Sequence, residues 1–440
     1  MAGEARVPGQ GTGSGSGSGF GAESGSGFEP ESGGGGVGGG EGGGVGDGGD
    51  SGSGGGGQAD APWAVCVGES MAALLPDMPG PLDGVGSFAV SAGGAESNVA
   101  CALRALGVPS AWVSRVGDDG FGRRLVGEVA RRGVDTSGVA VDPVRPTGLY
   151  LKETGGSERA GDLGAGRSKL HYYRAGSAAS AMSAAMLREP AVARLVDGAR
   201  LVHLTGITPA LSDTCLELVR ALLDAPRGDR LVSFDLNLRP VLWRERDAGV
   251  LREFVNAADV ALLGADEAEV AFGTGDPAEL RALFPGPATI VVKDAERVVT
   301  ALTAEGVVSE PALTVDVVEP TGAGDAFAAG YLAGTLHGFD ERRRLRLGHL
   351  AAASALVAHG DVGELGDLSR LAEVDPAEHS EHSEHSEHSE HSEHNRSAER
   401  DGQWSAGAVA ALLEASEEQW RATRVSAAGI AIGGLKSVPT

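Results

Sequence analysis

The sequence predicts a three-layer α/β fold with a mostly parallel central sheet and a small β lid, on three observations. Between residue 63 and about 360, short apolar runs alternate with longer amphipathic ones. The short runs "LVHLTGI" (201–207), "LVSFDLN" (231–237), "VALLG" (260–264) and "TIVVKDA" (289–295) are almost continuously apolar and end in polar or glycine-containing turns, as strands buried on both faces do. One region breaks the alternation. "PTGLYLKE" (146–153) and "KLHYYRAG" (169–176) carry alternating side chains around the polar loop "TGGSERAGDLGAGRS", and read as two lid strands.

The first 60 residues stand outside this pattern. They hold 28 glycines, one basic residue and eight acidic ones, and lack Trp, Tyr, Ile and Leu. Such a segment buries too little apolar surface to offset its ordering entropy, so residues 1–60 read as a disordered acidic tail. It has neither the basic start and apolar run of a secretory signal nor the arginines of a transit peptide. The folded domain, expected over 61–370, opens with the strand "WAVCVG" (63–68). "NVACALRALG" (98–107) sets Val99, Ala102, Leu103 and Leu106 on one helical face, with Gly107 as the stop. "AWVSRVG" (111–117) is the next strand, and "FGRRLVGEVARRG" (121–133) a helix closed by Gly133. The lid strands follow, at about 146–153 and 169–176.

Residues 371–400 contain "HSEHSEHSEHSEHSEH" (379–394), six of the eleven histidines at a spacing that fits neither helix nor strand. This reads as a disordered insertion, with weak collection of zinc or nickel as the alternative use. Beyond it, "WSAGAVAALLEASEEQWRATRV" has helical spacing at Val409, Leu412, Leu413 and Trp420. Residues 401–430 therefore read as a terminal helical segment that returns to the domain.

The formal charge is −25. So acidic a chain has no footprint for nucleic acid and is repelled by anionic lipid, so an anionic substrate must meet a local basic site. Cys66, Cys101 and Cys215 form neither a zinc spacing nor a disulfide framework. No apolar run is long enough to span a membrane. These features read as a soluble, cytoplasmic protein whose partner is a small molecule.

The stretch "EPTGAGDAFAAG" (319–330) carries the chemistry. Gly322 and Gly324, with Ala323 between them, allow backbone geometries closed to other residues and let a ligand approach the chain. The unpaired amides of the helical turn that follows would cradle a phosphoryl group, aided by the helix dipole. Asp325 beside such a cradle is electrostatically awkward unless it accepts a proton from an attacking hydroxyl. On local chemistry alone it reads equally well as a helix cap.

"TGAGDAFAAG" resembles the C-terminal signature of the ribokinase-like (PfkB) sugar kinases, in which the aspartate is the catalytic base. "SAGGAESNVACALRALG" (91–107) resembles their N-terminal signature, whose di-glycine turn and asparagine line the sugar site, here Gly94 and Asn98. The resemblance covers about residues 63–365. It implies ATP-dependent phosphorylation of a sugar hydroxyl with Mg2+, with Asp325 as base and Gly322, Ala323 and Gly324 as the cradle. It also implies Glu267 as the acidic residue that organises magnesium indirectly, and Lys293 on the nucleotide side. Three positions depart from the family pattern: Gly264 stands for an asparagine, "KDAERV" lacks the usual loop glycines, and Glu319 replaces an aspartate of a potassium site. The longer Glu319 changes that geometry and leaves monovalent-cation activation open.

Within the family, "YYRAGSAAS" (172–180), "DLNLRPVLW" (235–243) and "VHLTGITPAL" (202–211) resemble the 2-keto-3-deoxygluconate kinases. A sugar acid needs its carboxylate answered, and arginine does so with a two-pronged donor. Arg174 and Arg239 are assigned to that carboxylate, and Tyr173 and Tyr150 to the wall along the sugar. Asp235 and Asn237 either orient Arg239 or join the phosphate–magnesium network. The rivals are a kinase of a neutral sugar such as fructose and a catalytically weak sugar-acid-binding protein. Lid strands in this family often pair across a dimer; the sequence leaves the oligomeric state open.

Overall fold

A computed structural model describes residues 62–157, 159, 161–164, 167–318, 320–358, 406–427 and 429–432. The glycine-rich tail, the histidine repeat and Glu319 lie outside the described residues, so the readings made of them remain expectations.

The chain begins with β1 (Ala64–Val67), β2 (Met71–Pro76), β3 (Phe88–Gly93), α1 (Ala95–Ala105) and β4 (Ser110–Gly117). Next come α2 (Gly120–Arg131), β5 (Asp135–Asp142), β6 (Leu149–Thr154), β7 (Ser168–Tyr173), α3 (Pro190–Gly198) and β8 (Leu201–Thr205). The middle holds α4 (Thr208–Leu211), α5 (Asp213–Asp224), β9 (Leu231–Asp235), α6 (Val250–Ala257), β10 (Val260–Gly264) and α7 (Ala265–Phe272). It continues with α8 (Pro277–Leu283), β11 (Thr289–Asp294), β12 (Val298–Thr303), β13 (Gly306–Pro311) and β14 (Thr314–Val315). The last described elements are α9 (Ala323–Leu336), α10 (Glu341–Leu356), α11 (Ala406–Leu413), α12 (Glu417–Arg421), β15 (Arg424–Ser426) and β16 (Gly429–Ala431).

Nine strands form the central sheet in the order β13-β12-β11-β10-β9-β8-β1-β4-β5. Every pair from β11 to β5 is parallel, and only β12 runs antiparallel to its neighbours. The apolar runs are continuous because adjacent residues serve opposite layers. Cys66, Leu201, Leu262 and Val291 join one core with α1, α9 and α10. Val65, Val202, Leu263 and Val292 join the other, with α3, α5 and α6. Strand order reverses at β1, between β8 and β4, and ligands collect beyond the carboxyl ends of strands at such a reversal.

A second sheet, in the order β3-β2-β6-β7, forms the lid. It includes β2 and β3, which the sequence reading left unassigned. Residues 146–148 and 174–176 flank the lid strands rather than extending them. The terminal helices pack on the first core through Val409, Leu412 and Trp420, all buried. Ser416 and Gln419 form a reciprocal cap that starts α12. Arg346, buried on α10, donates to the carbonyls of Leu413 (2.9 Å) and Ala415 (2.7 Å) and to Glu310 (3.3 Å), with its guanidinium 4.9 Å from the Trp420 ring centroid. It thereby takes up carbonyls that the end of α11 leaves without helical partners.

The three cysteines are buried free thiols. Burial pushes Cys101 and Cys215 up to about 11, and Cys66 well above its ordinary value. Among the described residues no helix is long and apolar enough to cross a membrane.

Candidate active site

Gly322 caps α9 at φ 82°, a left-handed geometry that favours glycine and turns the chain sharply into the helix. Ala323, Gly324 and Asp325 form the first turn, where amides have no intrahelical acceptor. A Cβ added at Gly324 would meet nothing within 4 Å, so this side of the cradle is open. The cradle borders a cavity of about 380 Å³ beyond the carboxyl ends of β1, β8, β9, β10 and β11, with the lid on its other side.

Asp325 is held by Asn98, whose side-chain amide donates to Oδ2 at 2.9 Å. The two signatures, 227 residues apart, therefore meet at one bond. Burial pushes the Asp325 carboxyl up to about 7; Asn98 restrains the rise, Asp235 adds to it, and Arg239 and Lys293 oppose it. A carboxylate tuned to that value is a competent base near neutral pH. Asn98 owes its place to α1, which a second buried acid anchors. Glu96 accepts from the hydroxyls of Thr205 (2.8 Å) and Thr208 (2.6 Å), and burial pushes it up to about 7 as well. Gly94 starts α1 because a Cβ there would collide with the Glu69 carbonyl and Ser70.

Three ion pairs line the rest of the cavity. Lys293, at the end of β11, donates to Asp235 at 2.8 and 3.1 Å. Burial would lower Lys293, but Asp235 and Glu267 outweigh it and hold the ammonium above its ordinary range. Arg239 donates to Glu267 at 3.3 Å and to the Leu238 carbonyl at 3.1 Å. Burial, then the nearby Asp235, pushes Glu267 up. Asn237, at φ 36°, turns the chain between Asp235 and Arg239. The third pair joins Arg174 to Glu69, which Ser177 also bonds at 3.2 Å.

The structure brings Gly94, Asn98, Tyr150, Arg174, Asp235, Asn237, Arg239, Glu267, Lys293, Gly322, Gly324 and Asp325 to this one cavity. One expectation needs correction. Tyr173 is 63% exposed and does not line the cavity; Tyr172 does, because alternation along β7 puts it on the face of Leu170 and opposite Tyr150. The Arg174 side chain is 10% exposed and its charge already has a carboxylate. Lys293, expected on the nucleotide side, also borders an adjacent cavity with Asp266, Asp276, Asp294 and Arg297, and so stands between the two spaces. The sequence reading missed Glu69, Tyr172 and Glu96. A charged residue one glycine beyond the apolar β1 was the available signal for Glu69.

The donors would suit ATP and magnesium: the open cradle and Lys293 could answer phosphate charge, and the Glu267 carboxylate could serve a cation that keeps most of its waters. Among the described residues no three carboxylates, histidines or thiols converge on a point that could hold a metal without the phosphates.

The description "pfkB family carbohydrate kinase" matches residues 63–365. The chain is 37% identical over 303 residues to a 2-dehydro-3-deoxygluconokinase of Thermoproteus tenax, covering 68% of this chain and 89% of the relative. It is 32% identical over 281 residues to fructokinase-2 of Oryza sativa, covering 61% and 78%. A sugar kinase of Pyrococcus horikoshii, solved in complex with ATP, superposes with a TM-score of 0.59 at 26% identity, covering 68% of this chain and 95% of that one.

Proposed function

The chain belongs to the pfkB family of carbohydrate kinases and is an ATP-dependent sugar kinase, and from that premise we propose that its substrate is 2-keto-3-deoxy-D-gluconate, phosphorylated at the terminal hydroxyl. The observation that carries this reading is Arg239. It lines the cavity of a chain of charge −25, is 44% exposed, and is held by one 3.3 Å ion pair and a bond to the adjacent Leu238 carbonyl, so it can turn to a ligand carboxylate. The identity with the Thermoproteus relative points the same way.

In this reading Asp325 accepts the proton of the attacking hydroxyl. Asn98 bonds Oδ2, so the proton goes to Oδ1. Bound ATP supplies the phosphoryl group, with magnesium to neutralise its charge. The Gly322–Asp325 amides and Lys293 stabilise the charge that builds up as the oxygen attacks. Glu267 would hold the magnesium, which would neutralise phosphate charge, and Tyr150 and Tyr172 close the wall along the sugar. One observation favours a neutral sugar such as fructose: Arg174 and Arg239 both already have carboxylate partners.

An ATP-dependent phosphorylation screen pairing neutral sugars with their aldonic and 2-keto acids decides between the two. The expected result is the highest kcat/KM on the 2-keto-3-deoxy acid. A higher value on fructose overturns the reading.

A further inference from the structure

The chain passes between the central sheet and the lid four times, and Glu69 stands at every crossing. Its own segment joins β1 to β2. Its backbone carbonyl lies so close to Gly94, on the crossing from β3 to α1, that a Cβ there would collide with it. On the crossing into β6, a Cβ at Gly148 would lie 3.1 Å from Glu69 Oε1 and 3.5 Å from the Arg174 Cβ. On the crossing out of β7, Arg174 pairs with Oε2 and Ser177 donates to Oε1 at 3.2 Å. Glu69 is 2% exposed.

A buried ion pair is a poor stabiliser compared with apolar side chains of similar volume. Met71, Leu170 and Ile207 show that apolar residues serve elsewhere in this wall. What the pair adds is direction. One end of the Arg174 guanidinium is fixed by Glu69, and its carbon lies 5.5 Å from the centroid of the Tyr172 ring. The Arg174 Nε–H remains, buried and without a hydrogen-bond partner, on a residue that lines the cavity.

We propose that Glu69 is a positioning residue: it pins the four crossings of the lid hinge and fixes Arg174 so that its unpartnered Nε edge is left for the substrate. The Arg174 half rests on the sugar-acid reading; the hinge half does not.

The test uses the full chain carrying Glu69→Gln, which keeps the side chain's size and removes its charge. Two readouts are taken: KM for sugar acid and for ATP, and amide exchange in the lid strands (71–76, 88–93, 149–154, 168–173) against the core strands 64–67 and 201–205. The sugar KM should rise roughly tenfold, as expected when a binding group is misplaced by a fraction of its reach, while the ATP KM stays unchanged. Exchange should quicken in the lid strands and not in the core. An unchanged sugar KM with unchanged lid exchange overturns the proposal, and so does exchange that quickens equally in lid and core. Should the lone buried arginine prevent folding, Glu69→Gln with Arg174→Gln gives a neutral pair, and lid exchange equal to wild type then overturns it. Wild-type protein that phosphorylates no sugar acid sinks the sugar-acid reading, and lid exchange alone decides the hinge.

Discussion

Arg346, under the terminal helices, and Lys293, at the floor of the cavity, both carry a positive charge inside the same domain. Arg346 is answered from several sides: Glu310, the carbonyls at the end of α11 and the face of Trp420. Lys293 bonds one carboxylate, Asp235, while Glu267 and Asp325 act on it through the field alone. The imbalance on the cavity floor is larger for Asp325, which accepts from the neutral amide of Asn98. Arg346 is fully buried, so its charge meets only the protein. Lys293 lines the cavity, and that separates the seat of the helices from the floor of the cavity.

The largest effect expected from this contrast is on turnover. Asp325→Asn keeps the hydrogen-bonding shape and removes the proton acceptor, so kcat should fall by ~10²–10⁴ with little change in ATP affinity. Turnover near normal, measured with the sugar saturating, would take Asp325 out of the base role. Arg346→Met should do the reverse. It leaves buried carbonyls and part of Glu310 unanswered, so denaturant unfolding should show a loss of about 3–5 kcal/mol while KM values hold. A shifted sugar KM in that variant would erase the distinction between the two regions.

Arg239→Ala should lower kcat/KM for the keto acid roughly tenfold relative to a neutral sugar, the low end for a hydrogen bond to a charged group, because the side chain is 44% exposed and solvent screens its charge. Arg239→Lys should recover part of this, because a point charge does not reproduce the two-pronged geometry. An unchanged ratio of acid to neutral substrate would make the arginine structural.

The smallest effect is on stability against pH. Asp325 and Glu96 both titrate near 7 in the folded chain, above their ordinary 3.8 and 4.5. Between those limits the folded state holds protons that the unfolded state has lost, so their contribution is full at the acid end and lost as pH rises through about 7. Asp325→Asn removes one of the two. Thermal unfolding should therefore find the variant more stable relative to wild type at pH 8 than at pH 5, and an equal difference at both would contradict the raised value. Wild-type kcat/KM should climb through the same range as the base ionises.

Much of this was legible in the sequence because it was local. Leu262 and Leu263 face opposite cores, which is why "VALLG" reads as a buried strand. Gly322 and Asp325 announced the cradle from within one turn of helix. What escaped was set by distant pairing. Nothing in "YYR" says which tyrosine faces the ligand until Tyr172 lies opposite Tyr150. The segments "MAALLP" and "FAVSAG" become lid only through pairing of β2 with β6. Glu69 and Arg174 are 105 residues apart. Glu96 looks like an ordinary acid in a first helical turn until Thr205 and Thr208 close over it.

The burial of Cys66, Cys101 and Cys215 makes the chain convenient to observe. Thiol reagents attack the thiolate, and these three groups are enclosed and held protonated. A maleimide dye would therefore pass over the native protein. Lys169 is exposed on the lid strand β7, so Lys169→Cys would give a single attachment point without first deleting any cysteine. A fluorophore there would report the lid's movement against the core in otherwise unaltered protein.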